Sequence, residues 1–256
     1  MVNVFLGDGR VKNVICGTVA AITLAGCVTT DGLPYSATEG FTDAFAIYQV
    51  VREEGLEEEN LTPAVTSGSA FYEGAAFWIG SAEGPKEAEL SAVDPDADPD
   101  VETFSALSAR MTADANFAKS KVTTRFDKFA ELEVDVNTSE PTVEAETDAE
   151  PEILDVRVRS KLSGSVKGTN DIEAVALKDS EKVGMTYFLD AEGQLSGELG
   201  GEYGSGAAQI TGEVYFLDTS KGQILFGQNV LHISPDDEET PETTLRGFGF
   251  AKRVDD

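Results

Sequence analysis

Histidine is almost missing from this chain of 256 residues: there is one, His232, beside two cysteines, one tryptophan and 19 basic side chains. Each shortage removes a class of function. A single imidazole leaves no material for a histidine-dependent triad or a histidine-rich zinc centre. Both cysteines, Cys16 and Cys27, fall near the start, so everything beyond Cys27 lacks a thiol for a disulfide or a redox step. Its stability must come from core packing and strand pairing. Against the few basic groups stand 47 acidic ones, and the formal net charge is −28. Charge of that sign opposes nucleic-acid phosphates and anionic lipid headgroups as main partners. It suits solubility, or attraction of a basic protein or a cation. No metal or cofactor is expected. No serine has a histidine in a catalytic motif, no phosphate-cradling glycine loop precedes a helix, and no carboxylate pair stands apart. The chain therefore reads as non-enzymatic.

What is present begins with a targeting pattern. Arg10 and Lys12 precede an apolar run from Val14 to Leu24, of signal-peptide length and too short to span a bilayer. The run ends in Leu24-Ala25-Gly26-Cys27, which resembles the lipobox of bacterial lipoproteins. That resemblance implies cleavage before Cys27 and acylation of its thiol; an ordinary signal peptide or a buried helix is the alternative. Several acyl chains would hold the protein firmly where one would not. Val28 follows, not the aspartate that retains lipoproteins at the inner membrane, so the outer membrane is the expected location.

Residues 1–26 are thus read as signal peptide and 27–63 as tether and helix. Phe41, Ala44, Phe45, Tyr48 and Val51 recur at helical spacing, predicting an amphipathic helix from about Thr42 to Glu54 that docks on the following domain or plugs one end of it. From residue 64 onward, 25 glycines in the whole chain and many short β-branched runs favour an all-β fold. Ala70 to Ile79 is a nearly continuous apolar run containing Trp78, expected in the core or at a barrel end. Leu107 to Phe117 alternates apolar and polar. So does Val122, Phe126, Ala130, Leu132, Val134 and Val136 after a turn near 118–121, which together predict a hairpin with one buried face. Leu154, Val156, Val158, Leu162 and Val166 face one way and Asp155, Arg157, Arg159 and Lys161 the other. That basic run is expected to pair with acidic neighbours or guard a sheet edge, and Arg157, Arg159 and Lys161 are the candidate docking stripe for an acidic partner. Further strands follow over 172–177, 183–189, 195–203, 208–216 and 223–233, with turns at Asp190–Gly193 and Asp218–Gly222. His232, late in a strand, reads as structural before it reads as a haem ligand.

Three acidic connections interrupt this pattern, over 81–101, 137–152 and 234–243. The first alternates Asp94, Asp96, Asp98 and Asp100 but has Pro99 and Ser105 where a calcium loop needs glycine and glutamate. It reads as an extended, solvated loop.

Near the end of the chain, Gly204, Ser205 and Gly206 are read as a tight corner, after which Ala208, Ile210, Gly212, Val214 and Phe216 share one strand face. Gly212 in mid-strand marks a kink or a close backbone approach. Tyr203, Gly204, Ala207 and Gly212 resemble the tyrosine-glycine…alanine…glycine-glycine corner in barrels of the transferrin-binding protein B family of bacterial surface lipoproteins, to which factor H-binding protein is related. Gln209 and Thr211 depart from that pattern. Gly247 to Arg253 resembles the family's closing strand with Phe250 inserted, and Gly68 to Ala75 its opening one.

Pattern and resemblance agree on an antiparallel eight-stranded up-and-down β-barrel over 64–256, built from eight to ten strand segments, with a filled interior. The resemblance implies a lipid-anchored capture protein that binds through barrel-end loops, with iron- and haem-related ligands among those it takes. Without a counterpart of the large first lobe, transferrin itself is not expected. The expected partners are the outer membrane through the anchor and a protein or solute, taken by a monomer at the cell surface; the long acidic stretches Glu83–Asp100 and Ser139–Glu152 belong to the binding end. A structural envelope-assembly lipoprotein and a lipocalin-like carrier are the rival readings.

Overall fold

Alternating apolar positions can be buried only if the sheet closes, and it does. The computed structural model describes residues 35–54, 61–63, 65–81, 101–137, 152–176, 183–199, 202–220, 222–236 and 242–254. A helix, α1 (Ala37–Glu54), precedes nine strand segments: β1 (Ser69–Ser81), β2 (Val101–Asn116), β3 (Lys121–Asn137), β4 (Glu152–Lys161), β5 (Ser163–Ala176), β6 (Val183–Leu199), β7 (Glu202–Thr219), β8 (Gly222–Pro235) and β9 (Thr243–Val254). All pairings are antiparallel, and the ring β1-β2-β3-β5-β6-β7-β8-β9 closes through β1 and β9 as an eight-stranded barrel. β4 is the exception. It pairs only with the second half of β3, while β5 takes the first half, so β4 and β5 are one long strand broken at Leu162.

The barrel is packed solid. Tyr72, Trp78, Phe126, Phe129, Tyr187, Phe216, Met111 and Ile210 are buried in one interior cluster, as expected for eight strands, whose lumen side chains can fill. Trp78 belongs to this core, in ring contact with Phe126 and Phe129. A second core lies outside the wall. Ala75 and Phe77, which alternate with the inward Ala76 and Trp78, meet Phe41, Ala44, Phe45 and Val51 of α1, and Phe41 sets its ring edge-on to Phe77 at 5.3 Å. The helix therefore docks on the outer wall and plugs neither end. It begins at Ala37, five residues earlier than its apolar stripe suggested, because the Ser36 hydroxyl accepts the Glu39 N–H at 3.4 Å as an N-cap.

Three local readings need correction. The glycines at 204 and 206 do not form a corner: 202–219 is a single strand, and the reversal falls between Leu199 and Glu202. Asp190–Gly193 is not a turn either but the middle of β6. There Gly193 passes so close to β5 that a Cβ would collide with the Ser165 carbonyl, which is why glycine interrupts the strand. Last, the even-numbered apolar residues of β3 do not share a face. Lys128 takes a left-handed backbone, φ 57°, and inserts a bulge. Val122 and Phe126 therefore point inward while Ala130, Leu132, Val134 and Val136 point outward into the helix-covered core.

Candidate functional site

Antiparallel order sorts the connections by end. Ser81 and Val101, Asn137 and Glu152, Leu199 and Glu202, and Pro235 and Thr243 all lie at one end of the barrel. The stretches that leave there, 82–100, 138–151 and 237–241, carry seven, five and three acidic residues against one lysine. They lie outside the described residues, as do Leu24, Ala25, Gly26 and Cys27.

At the opposite end the described residues are packed and paired. A 3₁₀ turn, Phe117–Lys119, joins β2 to β3, with the Lys119 N–H donating to the Asn116 side chain at 3.0 Å. Phe117 packs edge-on to Phe216 at 5.9 Å beneath it. Residues 61–63 run across the splayed ends of β6 and β7: Leu61 bridges to Leu217 and Pro63 to Gly184. The Thr62 N–H donates to the Phe216 carbonyl at 2.9 Å and its hydroxyl to Asp218 at 3.0 Å. Recognition at the 61–63 strap would require displacing paired backbone; the 177–182 connection, which leaves this end, lies outside the described residues.

Just below the acidic end, the outer wall carries a groove of about 530 Å³ lined by Glu192, Gln194, Ala207, Gln209, His232 and Ser234. Register makes it. Glu192, Gln209 and His232 stand opposite one another across β6, β7 and β8, and Gln194, Ala207 and Ser234 form the next row. Ala207 is the small residue between two longer ones, so the wall dips there. Gln209 donates to Asp190 at 3.0 Å, and Nδ1 of the exposed His232 shares a proton with the Thr244 hydroxyl at 2.8 Å. The lining suits a polar solute or a peptide. Of the corner residues, Ala207 is in this groove. Gly212 lies further down β7, where a Cβ would meet the Gln228 carbonyl and come within 2.7 Å of the Asn229 Cα. Tyr203 and Gly204 sit opposite Glu198 and Gly197, and the Tyr203 side chain is outside the described residues.

The basic run of β4 divides. Arg157 reaches Asp135 at 2.7 Å, Glu133 at 2.9 Å and Asp155 at 3.6 Å, and Arg159 reaches Glu133 at 3.4 Å. These pairs are half-exposed, and each is worth little alone. Lys161 stands opposite Ala130, on the other face of the sheet, because the β3–β4 register shifts between Glu131 and Leu132. The three do not form one stripe. The same shifts leave Leu154 and Val158 exposed rather than buried.

A tighter polar cluster lies where α1 begins. Arg110 forks onto both oxygens of the buried Asp127 at 2.8 Å, and Arg125 approaches the same carboxylate at 3.1 Å. The hydrogen bond to Asp127 raises Arg110 further above its usual pKa. Tyr35 lies against Ser108 at 3.4 Å, and burial pushes its phenol up to about 12. The arrangement ties the N-terminal strap to the barrel and offers no group poised for proton transfer. Among the described residues no three histidine, cysteine, aspartate or glutamate side chains converge at metal-binding spacing. Neither the groove nor the outward pairing of Arg125 with Lys167 was legible in the sequence: each needs the register between strands distant in the chain.

No protein-family model, curated protein or solved structure matches this chain.

Proposed function

We propose that this chain is a non-enzymatic, lipid-anchored binding protein of the outer membrane that captures a protein or solute from outside through the loop end of its barrel. One observation carries the reading: the two longest connections, both acidic, leave the same end, whereas the interior is filled and residues 61–63 are strapped across β6 and β7 at the other. A solid barrel has no lumen for a ligand, so recognition is external. The anchor rests on Leu24-Ala25-Gly26-Cys27. The partner we favour is a basic protein, since the fifteen acidic residues of the three connections would steer it and the on-rate would fall as salt rises. The polar groove beside that end supplies a second contact.

Replacing 82–100 and 138–151 with short glycine-serine links tests this. The barrel stays folded, since neither stretch carries core periodicity, and capture weakens at least tenfold, about 1.4 kcal/mol. Unchanged affinity in the shortened protein refutes the assignment. Stoichiometric haem binding without a protein partner would also refute it and favour a carrier. Protease shaving of intact cells separates surface capture from a periplasmic structural role.

A further inference from the structure

The scarce basic side chains are not spread evenly. Eight of the 19 fall between residues 119 and 167, and the fold gathers most of these on the outer wall of β3, β4 and β5. Arg125 stands directly opposite Lys167 across the β3–β5 pairing. Lys128 protrudes from the bulge three residues further along β3, and Lys161 shares the row of Ala130 and Ser108. All four are exposed. Two acids neighbour the group: Asp127, buried and already held by Arg110 and Arg125, and Glu192, which stands opposite Lys167 across the β5–β6 pairing at the edge of the wall without closing an ion pair to it. Lys128, Lys161 and Lys167 have no ion pair among the described residues. Like charges facing each other on adjacent strands destabilise a sheet unless something anionic sits over them. In a chain of net charge −28, solubility does not require such a cluster.

The position of the strap says what that anion is. Tyr35 rests on Ser108, in the same cross-strand row as Lys161 and two strands away, about 10 Å. Tyr35 follows Cys27 by eight positions, so Cys27 lies within about 28 Å of Tyr35. We infer that this wall, Arg125, Lys128, Lys161 and Lys167, is a membrane-facing surface that lies on anionic lipid headgroups and orients the anchored barrel. The inference rests on the acylation of Cys27 proposed above. An acyl chain joined to a polybasic patch is a recognised two-signal membrane attachment. The overall negative charge does not forbid it, because repulsion is screened over about 8–10 Å. The acidic end begins nine residues along β4 from Lys161, at Glu152, about 30 Å away. Repulsion of that end from the same headgroups tips it outward and leaves the loops free for a partner.

The test uses the full acylated protein in three settings: detergent, zwitterionic phosphatidylcholine vesicles, and vesicles with phosphatidylglycerol added. Limiting acetylation of lysines is read by mass spectrometry. Lys128, Lys161 and Lys167 are expected to be protected roughly fivefold or more on the anionic vesicles alone, and raising salt to about 0.5 M should remove the protection. Lys86, in the acidic connection, and Lys252, on β9, should react equally throughout. Equal reactivity of the three lysines in all settings, or equal protection on both kinds of vesicle, overturns the inference. The N-terminal peptide in the same digest reports the anchor. An acylated Cys27 with unprotected lysines defeats this inference alone, and an unacylated Cys27 defeats it together with the anchored reading.

Discussion

Trp78 stacks on Phe129 with ring centroids 6.0 Å apart and planes 18° from parallel, and Phe129 reaches that place only because Lys128 beside it bends the chain with φ 57°. The bulge is what lets β3 serve two cores, one inside the barrel and one beneath α1. An L-residue in that left-handed conformation costs about 1 kcal/mol that glycine does not incur. Lys128→Gly should therefore raise stability by about 0.5–1 kcal/mol, and Lys128→Val, β-branched, should lower it by at least as much. Denaturant midpoints decide. If both variants matched the parent, the bulge would not constrain β3.

Gly212 is held against the Gln228 carbonyl of β8, so Gly212→Val must spread the strands or twist β7. We expect a loss of several kcal/mol, with thermal melting as the readout. Ala207, five residues earlier, is exposed at the groove, and Ala207→Arg should melt within a few degrees of the parent. Equal damage at both positions would mean that the strand tolerates bulk nowhere.

The hydroxyls of Thr124 and Tyr187 meet at 3.0 Å, both fully buried. Removing either leaves the other without a partner in an apolar interior. Tyr187→Phe and Thr124→Val should each cost about 1–3 kcal/mol, and the double variant clearly less than their sum. Strict additivity in urea unfolding would show that the pair does not act as a unit.

Burial of Asp43 raises its pKa above the ordinary aspartate value, and Lys252 offsets this only in part. The folded state thus holds that proton more tightly than the unfolded chain does. The stability this contributes is fully present below the unfolded pKa, near 4, and is lost as pH rises through the folded one. Asp43→Asn should accordingly melt higher than the parent at neutral pH, with the gap closing below about pH 4. Parallel melting curves across that range would contradict the burial account.

The anchor has its own test. Cys27→Ser should abolish labelling by metabolic palmitate and release the protein from membranes, because the thiol is the only acceptor in the lipobox. Labelling that persists in the variant, or is absent from the parent, excludes a lipoprotein.

Two-residue alternation made the barrel legible: Leu107 to Ala115 on β2 and Ala208 to Phe216 on β7 face inward as their spacing implies. Helical spacing likewise identified Phe41, Ala44, Phe45 and Val51 as the buried stripe of α1. The alternation failed where one residue was inserted or the register slipped, at Lys128 and around Leu154 and Arg159, because a single extra position exchanges the two faces of everything after it. Glycine misled for a different reason. Gly193 and Gly206 are small because neighbouring strands approach closely, a cause that leaves the same letter in the sequence as a turn does. The groove and the basic wall are products of cross-strand pairing and have no local signature.

The central claim, that recognition happens at the end from which the acidic connections leave, can be tested by site-specific photo-cross-linking on intact cells. A photoreactive residue is placed either at Asn137, where β3 ends beside those connections, or at Ser120, in the turn at the opposite end. A discrete adduct is expected from position 137, lost at high salt, and none from position 120. An adduct from 120 with none from 137 would contradict it.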